Sequence, residues 1–189
     1  VLNLFPKQKV KIGFSHGDFV HWNTIKSYNG KYMCFDLEYF SKERIYIYDL
    51  DMTVIDSSHR RKYNQNGDFR LSYWKEHNTR KDIFGDSLLP LAKHLKKKIL
   101  DNVVLICTAR EISQDDLDFL EMNGIRFDHM IARKKGDMTA DHILKYNALK
   151  EFFSDNPYMK TTRKIMYDDS VENLKEISKL KIEGRLAWI

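Results

Sequence analysis

Short apolar segments alternate with helical segments from Ile45 to the end of the sequence. The segments predicted as strands are residues 45–50, 103–107, 125–132, 164–167 and 185–189. The segments predicted as helices are residues 87–98, 113–123, 139–153 and 170–180. Because strand–helix alternation implies right-handed βαβ crossovers, the sequence predicts an α/β fold with a mostly parallel sheet flanked by helices.

Helix ends and apolar faces can be assigned within this pattern. Asp86 or Ser87 is the predicted N-cap of helix 87–98, and Ser113 and Gly124 bracket helix 113–123. The apolar face predicted for helix 87–98 consists of Leu88, Leu91, Ala92 and Leu95. The face predicted for helix 139–153 consists of Ile143, Leu144, Ala148 and Phe152.

The bulk composition limits the class of protein. The chain has 189 residues, 42% of them hydrophobic, which is enough for one domain with a buried core. Its net charge of +5 suits an anionic partner such as a phosphate ester or a nucleic acid. No apolar run reaches the length of a membrane span, and two cysteines cannot make a disulfide framework, so we expect a cytoplasmic protein. The first residue is Val1 rather than Met, which suggests a piece of a longer protein.

Residues 1–44 differ in character from the rest. Asn29-Gly30 separates two segments rich in strand formers, which predicts a β-hairpin because a type I′ turn needs positive φ at both central positions. A short polar linker, residues 41–44, follows. The predicted organisation is therefore an N-terminal β-hairpin extension over residues 1–44 and an α/β domain over residues 45–189.

Two carboxylates follow the first strand of the α/β pattern. Asp49 and Asp51 stand at i and i+2, so both lie on one side of an extended chain. Neighbouring carboxylates repel each other unless a cation lies between them or one is protonated, and Mg²⁺ prefers carboxylate oxygens. A carboxylate beside such a cation can attack phosphorus. A solvated strand end with a turn explains this pair equally well when it is considered alone.

Polar residues also follow two other predicted strands. Thr108 and Arg110 follow residues 103–107, where a hydroxyl and a guanidinium could hold phosphate oxygens. Asp168 and Asp169 follow residues 164–167. Helix entry explains the first group and N-capping explains the second, and Lys145 alone is typical of a surface lysine. Ligands bind at the carboxyl ends of such strands, so the joint occurrence of these residues favours a phosphate and cation site.

These residues resemble the motifs of the haloacid dehalogenase superfamily. Asp49-Leu50-Asp51-Met52-Thr53 resembles motif I, Thr108 motif II, Lys145 motif III and Asp168-Asp169 motif IV. The resemblance implies a Rossmann-like fold and an Mg²⁺-dependent phosphatase. It implies that Asp49 is the nucleophile, Asp51 the acid and base, and that Thr108 and Lys145 hold the phosphoryl group. The implied metal residues are Asp49, Asp168 and Asp169, together with Asp51 through its backbone carbonyl. Met52 departs from the family, which usually has Gly there.

A narrower resemblance concerns the substrate. Residues 107–110, 131–145 and 165–169 are similar to the phosphatase half of phage polynucleotide kinase-phosphatase. This implies a 3′-phosphorylated nucleic-acid end as substrate. The implied substrate-binding residues are Arg110, Arg133, Lys135 and Thr53. A small-molecule phosphatase for nucleotides or sugars, and a catalytically idle nucleic-acid-binding module, are the alternatives.

Residues 56–86 form a predicted flap insertion. The segment interleaves basic and aromatic residues, among them Arg60, Arg61, Phe69, Trp74 and Lys75. Such a mixture can hold phosphates and stack on bases. The alternative is a small flap that packs its aromatic side chains on the core and leaves its charges in solvent.

Residues 13–38 resemble the catalytic loop of aminoglycoside phosphotransferase and choline kinase-like enzymes. The resemblance implies that Asp18 is a base and that Asn23 and Asp36 are metal ligands. The sequence carries neither a glycine-rich phosphate loop nor the helices that should follow, so we predict no kinase activity. An upstream kinase domain absent from this chain, or a plain hairpin appended to the phosphatase, accounts for the segment.

Overall fold

The computed structural model describes residues 23–26, 32–35 and 44–187. The chain divides into two compact units, Val1–Lys42 and Glu43–Ile189. In the first unit, strands β1 (Asn23–Lys26) and β2 (Tyr32–Phe35) pair antiparallel. The predicted turn at Asn29-Gly30 lies outside the described residues. The functional separation of the two units stays a prediction.

The second unit is an α/β structure. Its strands are β3 (Arg44–Tyr48), β4 (Ile55–Asp56), β5 (Ser87–Leu88), β6 (Val103–Cys107), β7 (His129–Ile131), β8 (Arg163–Asp168) and β9 (Glu183–Leu186). Its α-helices are α1 (Leu71–Glu76), α2 (Arg80–Ile83), α3 (Pro90–Lys98), α4 (Gln114–Met122), α5 (Asp141–Asp155) and α6 (Val171–Ser178). Five strands form one sheet in the order β7-β6-β3-β8-β9, and every neighbouring pair is parallel. The predicted fold class is confirmed.

The centre of the sheet is buried on both faces. Every residue of β6 is buried, and so are the residues of β3 after Arg44. Parallel strands covered by helices on both sides have continuous apolar sequences, which explains why these two were visible in the sequence. Their carboxyl ends, together with that of β8, meet at one edge of the sheet.

The helix predicted from residue 87 begins later. Ser87 and Leu88 form β5, which pairs antiparallel with β4, and α3 starts at Pro90. The ring of proline fixes φ and lacks an N–H, so Pro90 suits the first helical position. Asp86 is therefore not an N-cap, and its carboxylate pairs with Arg60 instead. The start of α4 is confirmed, because Ser113 forms a capping box with Asp116.

The apolar face predicted for α5 is wrong by about one position. Ile143 is 43% exposed, whereas Leu144, Leu149 and Phe153 are buried. Lys145 lies in the buried stripe with them. If every lysine is assigned to the solvent-facing side, the predicted apolar face of this helix is displaced, because Lys145 is in fact buried. The reason for the burial of Lys145 is the pair of carboxylates described below.

The flap lies between β4 and β5. It contains a 3₁₀ turn at Ser58–Arg60 and the short helices α1 and α2. Tyr63 and Phe69 form an antiparallel bridge within it. Across the described residues, no helix is both long enough and apolar enough to cross a membrane.

Candidate active site

Asp49 lies at the carboxyl end of the central strand β3. Its backbone N–H donates to the Tyr167 carbonyl of β8 at 2.9 Å, which fixes it beside Asp168 at the end of that strand. Both carboxylates are buried. Adjacent parallel strands thus bring together two acidic residues that are far apart in the sequence.

Lys145 links these two carboxylates. Its Nζ donates to Asp49 Oδ1 at 2.6 Å and to Asp168 Oδ2 at 2.7 Å, and the residue is only 2% exposed. Burial alone would lower the pKa of Lys145, but the two carboxylates raise it above its ordinary value. Burial raises the pKa of Asp49 to about 7, against the opposing effect of Lys145. The structure thus brings Lys145 together with the acids at the ends of β3 and β8.

Three carboxylates converge beside Lys145. Asp49, Asp168 and Asp169 each offer an oxygen, and these atoms lie within 4.8 Å of one another. Asp168 Oδ1 accepts from Ser170 N and from Asn173 Nδ2, both at 2.9 Å, which orients its other oxygen. Hard oxygen donors of this kind fit Mg²⁺. Asn173, at the start of α6, carried no signal in the sequence beyond its place in a capped helix.

Asp51 has a different partner from the other acids. Arg110 Nη1 donates to Asp51 Oδ1 at 2.9 Å, and Arg110 Nη2 donates to Asp116. Asp116 also accepts from Ser113 N and Ser113 Oγ, both at 2.8 Å. Arg110 thus lies between two carboxylates, and the Asp51 carboxylate stands outside the group of three acids. Asp116 was not predicted as a site residue, because a first-turn acid is sufficiently explained by helix capping.

Both threonines of the motifs are buried. Thr53 Oγ1 donates to Asp49 Oδ2 at 3.4 Å. The Thr108 N–H donates to the Ile131 carbonyl at 2.9 Å, and its Oγ1 accepts from the Arg110 N–H at 3.4 Å. Thr108 lines the cavity in front of the carboxylates, whereas Thr53 supports Asp49 from the side.

Arg133 and Lys135, both predicted to bind substrate, are placed differently. The Arg133 guanidinium donates to the carbonyls of Asp137 and Thr139 at 2.9 and 2.7 Å, and to Asp141 Oδ1 at 2.6 Å. These bonds tie the loop after β7 to the first residue of α5. Arg133 lines the cavity, but its guanidinium N–H groups donate to other residues of the protein. Lys135 is exposed and does not line the cavity.

Met52 marks the turn after the acid pair. Its φ of 61° lies in the left-handed region, which a residue with a side chain adopts only at a cost in conformational energy. The Met52 N–H donates to the Ile55 carbonyl at 2.7 Å, and the Leu50 carbonyl accepts from Val54 N at 2.9 Å. The conformation explains why glycine suits this position of the motif.

A cavity of about 800 Å³ opens in front of these side chains. Its inner end is lined by Asp49, Asp51, Thr108, Arg110, Lys145 and Asp169. The flap contributes Arg61, Phe69, Leu71, Trp74, Lys75 and Asn78. Part of the flap interpretation is corrected, since Arg60 is buried rather than solvated. Its Nε and Nη2 donate to Asp86 at 2.9 and 2.5 Å.

The kinase-like residues fall outside the part of the chain that the structure describes. This holds for Asp18 and Asp36, and also for the side chain of Asn23. The interpretation of residues 13–38 as a kinase-like segment stays a prediction.

Known proteins match this chain in sequence and in fold. The family model described as bacteriophage T5 5′-deoxynucleotidase matches residues 37–170. The 5′-deoxynucleotidase of Escherichia phage T5 is 35% identical over 88 residues, which are 44% of this chain and 36% of that protein. The chain therefore aligns with little more than a third of the length of this relative.

Solved structures share the fold. A chain of the Pnkp1/Rnl/Hen1 complex superposes with a TM-score of 0.57 and 22% identity, over 77% of this chain and 46% of that chain. A haloacid dehalogenase-like hydrolase from Streptococcus pneumoniae superposes with a TM-score of 0.54 and 15% identity, over 77% of this chain and 84% of that one. The predicted haloacid dehalogenase fold is confirmed. Since the family match extends over most of the sequence, the chain belongs to the bacteriophage T5 5′-deoxynucleotidase family.

Proposed function

We propose that this protein is an Mg²⁺-dependent phosphomonoesterase that hydrolyses nucleotides through an aspartyl-phosphate. The observation that carries the proposal is the convergence of Asp49, Asp168 and Asp169 around the buried Lys145 at one end of an open cavity. A core lysine held by two carboxylates is costly to bury and has no evident packing role. Such groups concentrate at catalytic sites.

Asp49 is the proposed nucleophile. Its Oδ1 accepts from Lys145 and its Oδ2 accepts from Thr53, so the carboxylate is held in one orientation. One of its oxygens bonds to phosphorus as the ester P–O bond breaks, which leaves an acyl phosphate on Asp49. Hydrolysis of that acyl phosphate releases inorganic phosphate and restores the carboxylate.

Asp51 is the proposed acid and base. Arg110 engages Asp51 Oδ1, so Oδ2 can carry the proton that the departing alkoxide needs. In the second step, the ionised Asp51 accepts a proton from the water that attacks phosphorus. Two carboxylates with different partners, Lys145 for Asp49 and Arg110 for Asp51, thus take different roles.

The remaining groups hold the phosphoryl oxygens. The Thr108 hydroxyl and the Lys145 ammonium line the inner end of the cavity, where both can donate to a phosphate. Asp49, Asp168 and Asp169 would hold Mg²⁺, which would neutralise charge on the phosphoryl oxygens when bound. Lys145 also keeps the Asp49 and Asp168 carboxylates from repelling one another.

The family match favours a mononucleotide as substrate. The model of the 5′-deoxynucleotidase family extends across the segment from Asp49 to Asp169, which contains every proposed catalytic residue. This supports the nucleotide alternative over a 3′-phosphorylated polynucleotide end. The similarity to the Pnkp1-containing complex concerns the fold, so end repair is the competing hypothesis that the experiment must include.

The test compares substrates and variants under one set of conditions. Phosphate release is measured with deoxynucleoside 5′-monophosphates, a 3′-phosphorylated oligonucleotide and a 5′-phosphorylated oligonucleotide, with Mg²⁺ and with EDTA. We expect Mg²⁺-dependent release that is fastest from the mononucleotides and abolished in Asp49→Asn. The matched control is Asp101→Asn, an exposed acid in the turn after α3. Wild-type turnover by Asp49→Asn would contradict the mechanism, and salt-sensitive nucleic-acid binding without turnover would favour an idle binding module.

A further inference from the structure

The cavity extends well beyond the space that a phosphate group needs. Its inner end carries the carboxylates, and its outer part is lined by Phe69, Leu71 and Trp74 from the flap. Phe69 is 43% exposed and Leu71 is 41% exposed. Single exposed apolar residues are common on surfaces, but these are neighbours on one wall of a cavity. The wall therefore faces the part of a ligand that lies outside the reacting phosphate.

The aromatic wall rests on a rigid support. The Arg60 guanidinium lies 4.5 Å from the centroid of the Trp74 ring. Arg60 is fully buried, donates twice to Asp86, and donates through Nη1 to Asn78 Oδ1 at 2.9 Å. A cation–π contact from so well held a side chain fixes the Trp74 ring before any ligand arrives.

Phe69 extends this support toward the open side. Its ring centroid lies 5.9 Å from that of Trp74 and 6.0 Å from that of Tyr63. Tilted and edge-to-face contacts of this kind hold an aromatic ring while leaving part of its face open. Phe69 is thus a positioned ring whose exposed area borders the cavity.

The wall is continuous with the reacting end. The Arg110 guanidinium lies 5.8 Å from the centroid of the Trp74 ring and donates to Asp51. A ligand whose phosphate contacts Asp49 therefore places its organic part toward the flap. An aromatic surface in that position suits a planar, weakly polar ring.

We propose that Phe69 and Trp74 form a nucleobase-stacking subsite for the nucleoside monophosphate substrate. The inference rests on the proposed function and concerns recognition of the nucleobase, which is the group that distinguishes a nucleotide from other phosphate esters. Stacking on aromatic side chains tolerates every base, because each base has a π-face. The subsite therefore predicts selectivity for nucleotides over sugar phosphates, with little preference among bases.

The test uses a pair of substrates that differ only by the base. The kcat/KM values for deoxyadenosine 5′-monophosphate and for deoxyribose 5-phosphate are compared in wild type, Phe69→Ala and Phe69→Tyr. A stacked base contributes about tenfold or more to binding, so Phe69→Ala should lower the ratio of the two values by roughly that factor. Phe69→Tyr, which keeps the ring, should restore most of the ratio. Leu100→Ala, at an exposed apolar residue outside the cavity, is the matched control.

The outcomes separate the two proposals. If Phe69→Ala leaves the ratio of the two kcat/KM values unchanged, the stacking subsite is overturned, whether both values fall equally or neither falls. The phosphatase proposal is not affected by that result. Turnover by Asp49→Asn at the wild-type rate would instead contradict the phosphatase proposal. If Phe69→Ala impairs only the 3′-phosphorylated oligonucleotide and mononucleotides are not turned over, the subsite belongs to a polynucleotide end and the proposal as stated is wrong.

Discussion

Asp116 holds the guanidinium of Arg110 on the side away from Asp51. Arg110 Nη1 donates to Asp51 at 2.9 Å, while Nη2 donates to the buried Asp116. Asp116 is fixed in turn by the Ser113 N–H and hydroxyl at the start of α4. An acid that touches no cavity surface therefore sets the position of the group that contacts the proposed general acid.

Asp116→Asn should weaken proton donation to the leaving group. The amide cannot balance the charge of Arg110, so the guanidinium loses its fixed position beside Asp51. General acid catalysis contributes about 10²–10⁴-fold, and we expect a loss of about tenfold or more in kcat for a deoxynucleotide. The loss should be much smaller for p-nitrophenyl phosphate, whose leaving group needs no proton. Steady-state kinetics on both substrates measure the difference.

Asp115→Asn is the control for this experiment. Asp115 is the preceding residue of the same helix, and its exposed carboxylate pairs with Arg80 at 2.7 Å. The Asp115→Asn variant should hydrolyse the deoxynucleotide and p-nitrophenyl phosphate at rates near those of wild type. Equal losses on both substrates in Asp116→Asn would indicate a general structural role and contradict the positioning role.

Lys145→Met should destabilise the protein most strongly when divalent cations are absent. Without the ammonium, Asp49 and Asp168 face each other in a buried site. Removing one partner of a buried ion pair costs about 3–5 kcal/mol. We expect a loss of that order in the free energy of unfolding in EDTA, and a partial recovery in Mg²⁺. Urea denaturation under both conditions is the measurement.

Lys150→Met, an exposed change on the same helix, should show neither effect. An Mg²⁺-independent loss of stability in Lys145→Met would argue against a cation site at these carboxylates. Activity should be abolished in Lys145→Met in either case, since the phosphoryl group loses a donor.

Arg60→Ala should destabilise the flap and weaken nucleotide binding together. Arg60 and Asp86 are both fully buried, so loss of one leaves an uncompensated charge, worth about 3–5 kcal/mol. Trp74 also loses the cation beneath its ring, and KM for a nucleotide should rise. Combining Arg60→Met with Asp86→Leu should recover much of the stability. Arg163→Ala breaks an exposed pair with Glu183 and should cost less than about 1 kcal/mol.

His94 should make stability depend on pH. Burial, followed by Lys98, Arg185 and Lys97, lowers the pKa of His94 below its ordinary value. The unfolded chain therefore takes up the His94 proton first as pH falls below about 6.5, so the contribution of His94 to the free energy of unfolding decreases there and is restored toward neutral pH. Asp49, whose pKa burial raises to about 7, contributes with the opposite sign. His94→Gln can keep the hydrogen bond to Tyr48 Oη without titrating, and should remove the His94 contribution, so that stability at pH 5 relative to pH 8 is higher than in wild type.

Thermal or urea unfolding measured from pH 5 to 8 tests the prediction. His77→Gln is a suitable control, because this histidine lies in the flap and stacks on Tyr73, away from the sheet. If His94→Gln kept the full pH dependence between pH 5 and 7, the slope would have to come from other groups.

The strand ends could be predicted because burial on both faces makes β3 and β6 continuous apolar runs. The acids and hydroxyls that follow such runs must meet at one sheet edge, so Asp49, Thr108 and Asp168 were identifiable as neighbours. Lys145 was different, since a lysine inside a helix carries no local sign of burial. Its two carboxylates come from strands on either side of it in the sequence.

Local sequence patterns do not predict the ion pair that holds the flap or the carboxylate that orients Arg110. Arg60 and Asp86 pair across the whole insertion, and no periodicity links them. Asp116 satisfied the requirements of a helix start, which left no reason to assign it a second role. The start of α3 at Pro90 was missed because Ser87 and Leu88 are drawn into a strand by their pairing with β4.

The position of β3 has a consequence for how the chain folds during synthesis. β3 is the first strand of the sheet to be made, yet both of its neighbours, β6 and β8, follow much later in the sequence. Until they emerge from the ribosome, an apolar strand with two unpaired edges has no partner, and such edges promote association between chains. The sheet can close around β3 only after β8 has been translated, so the acids at the ends of these two strands cannot form a site before then.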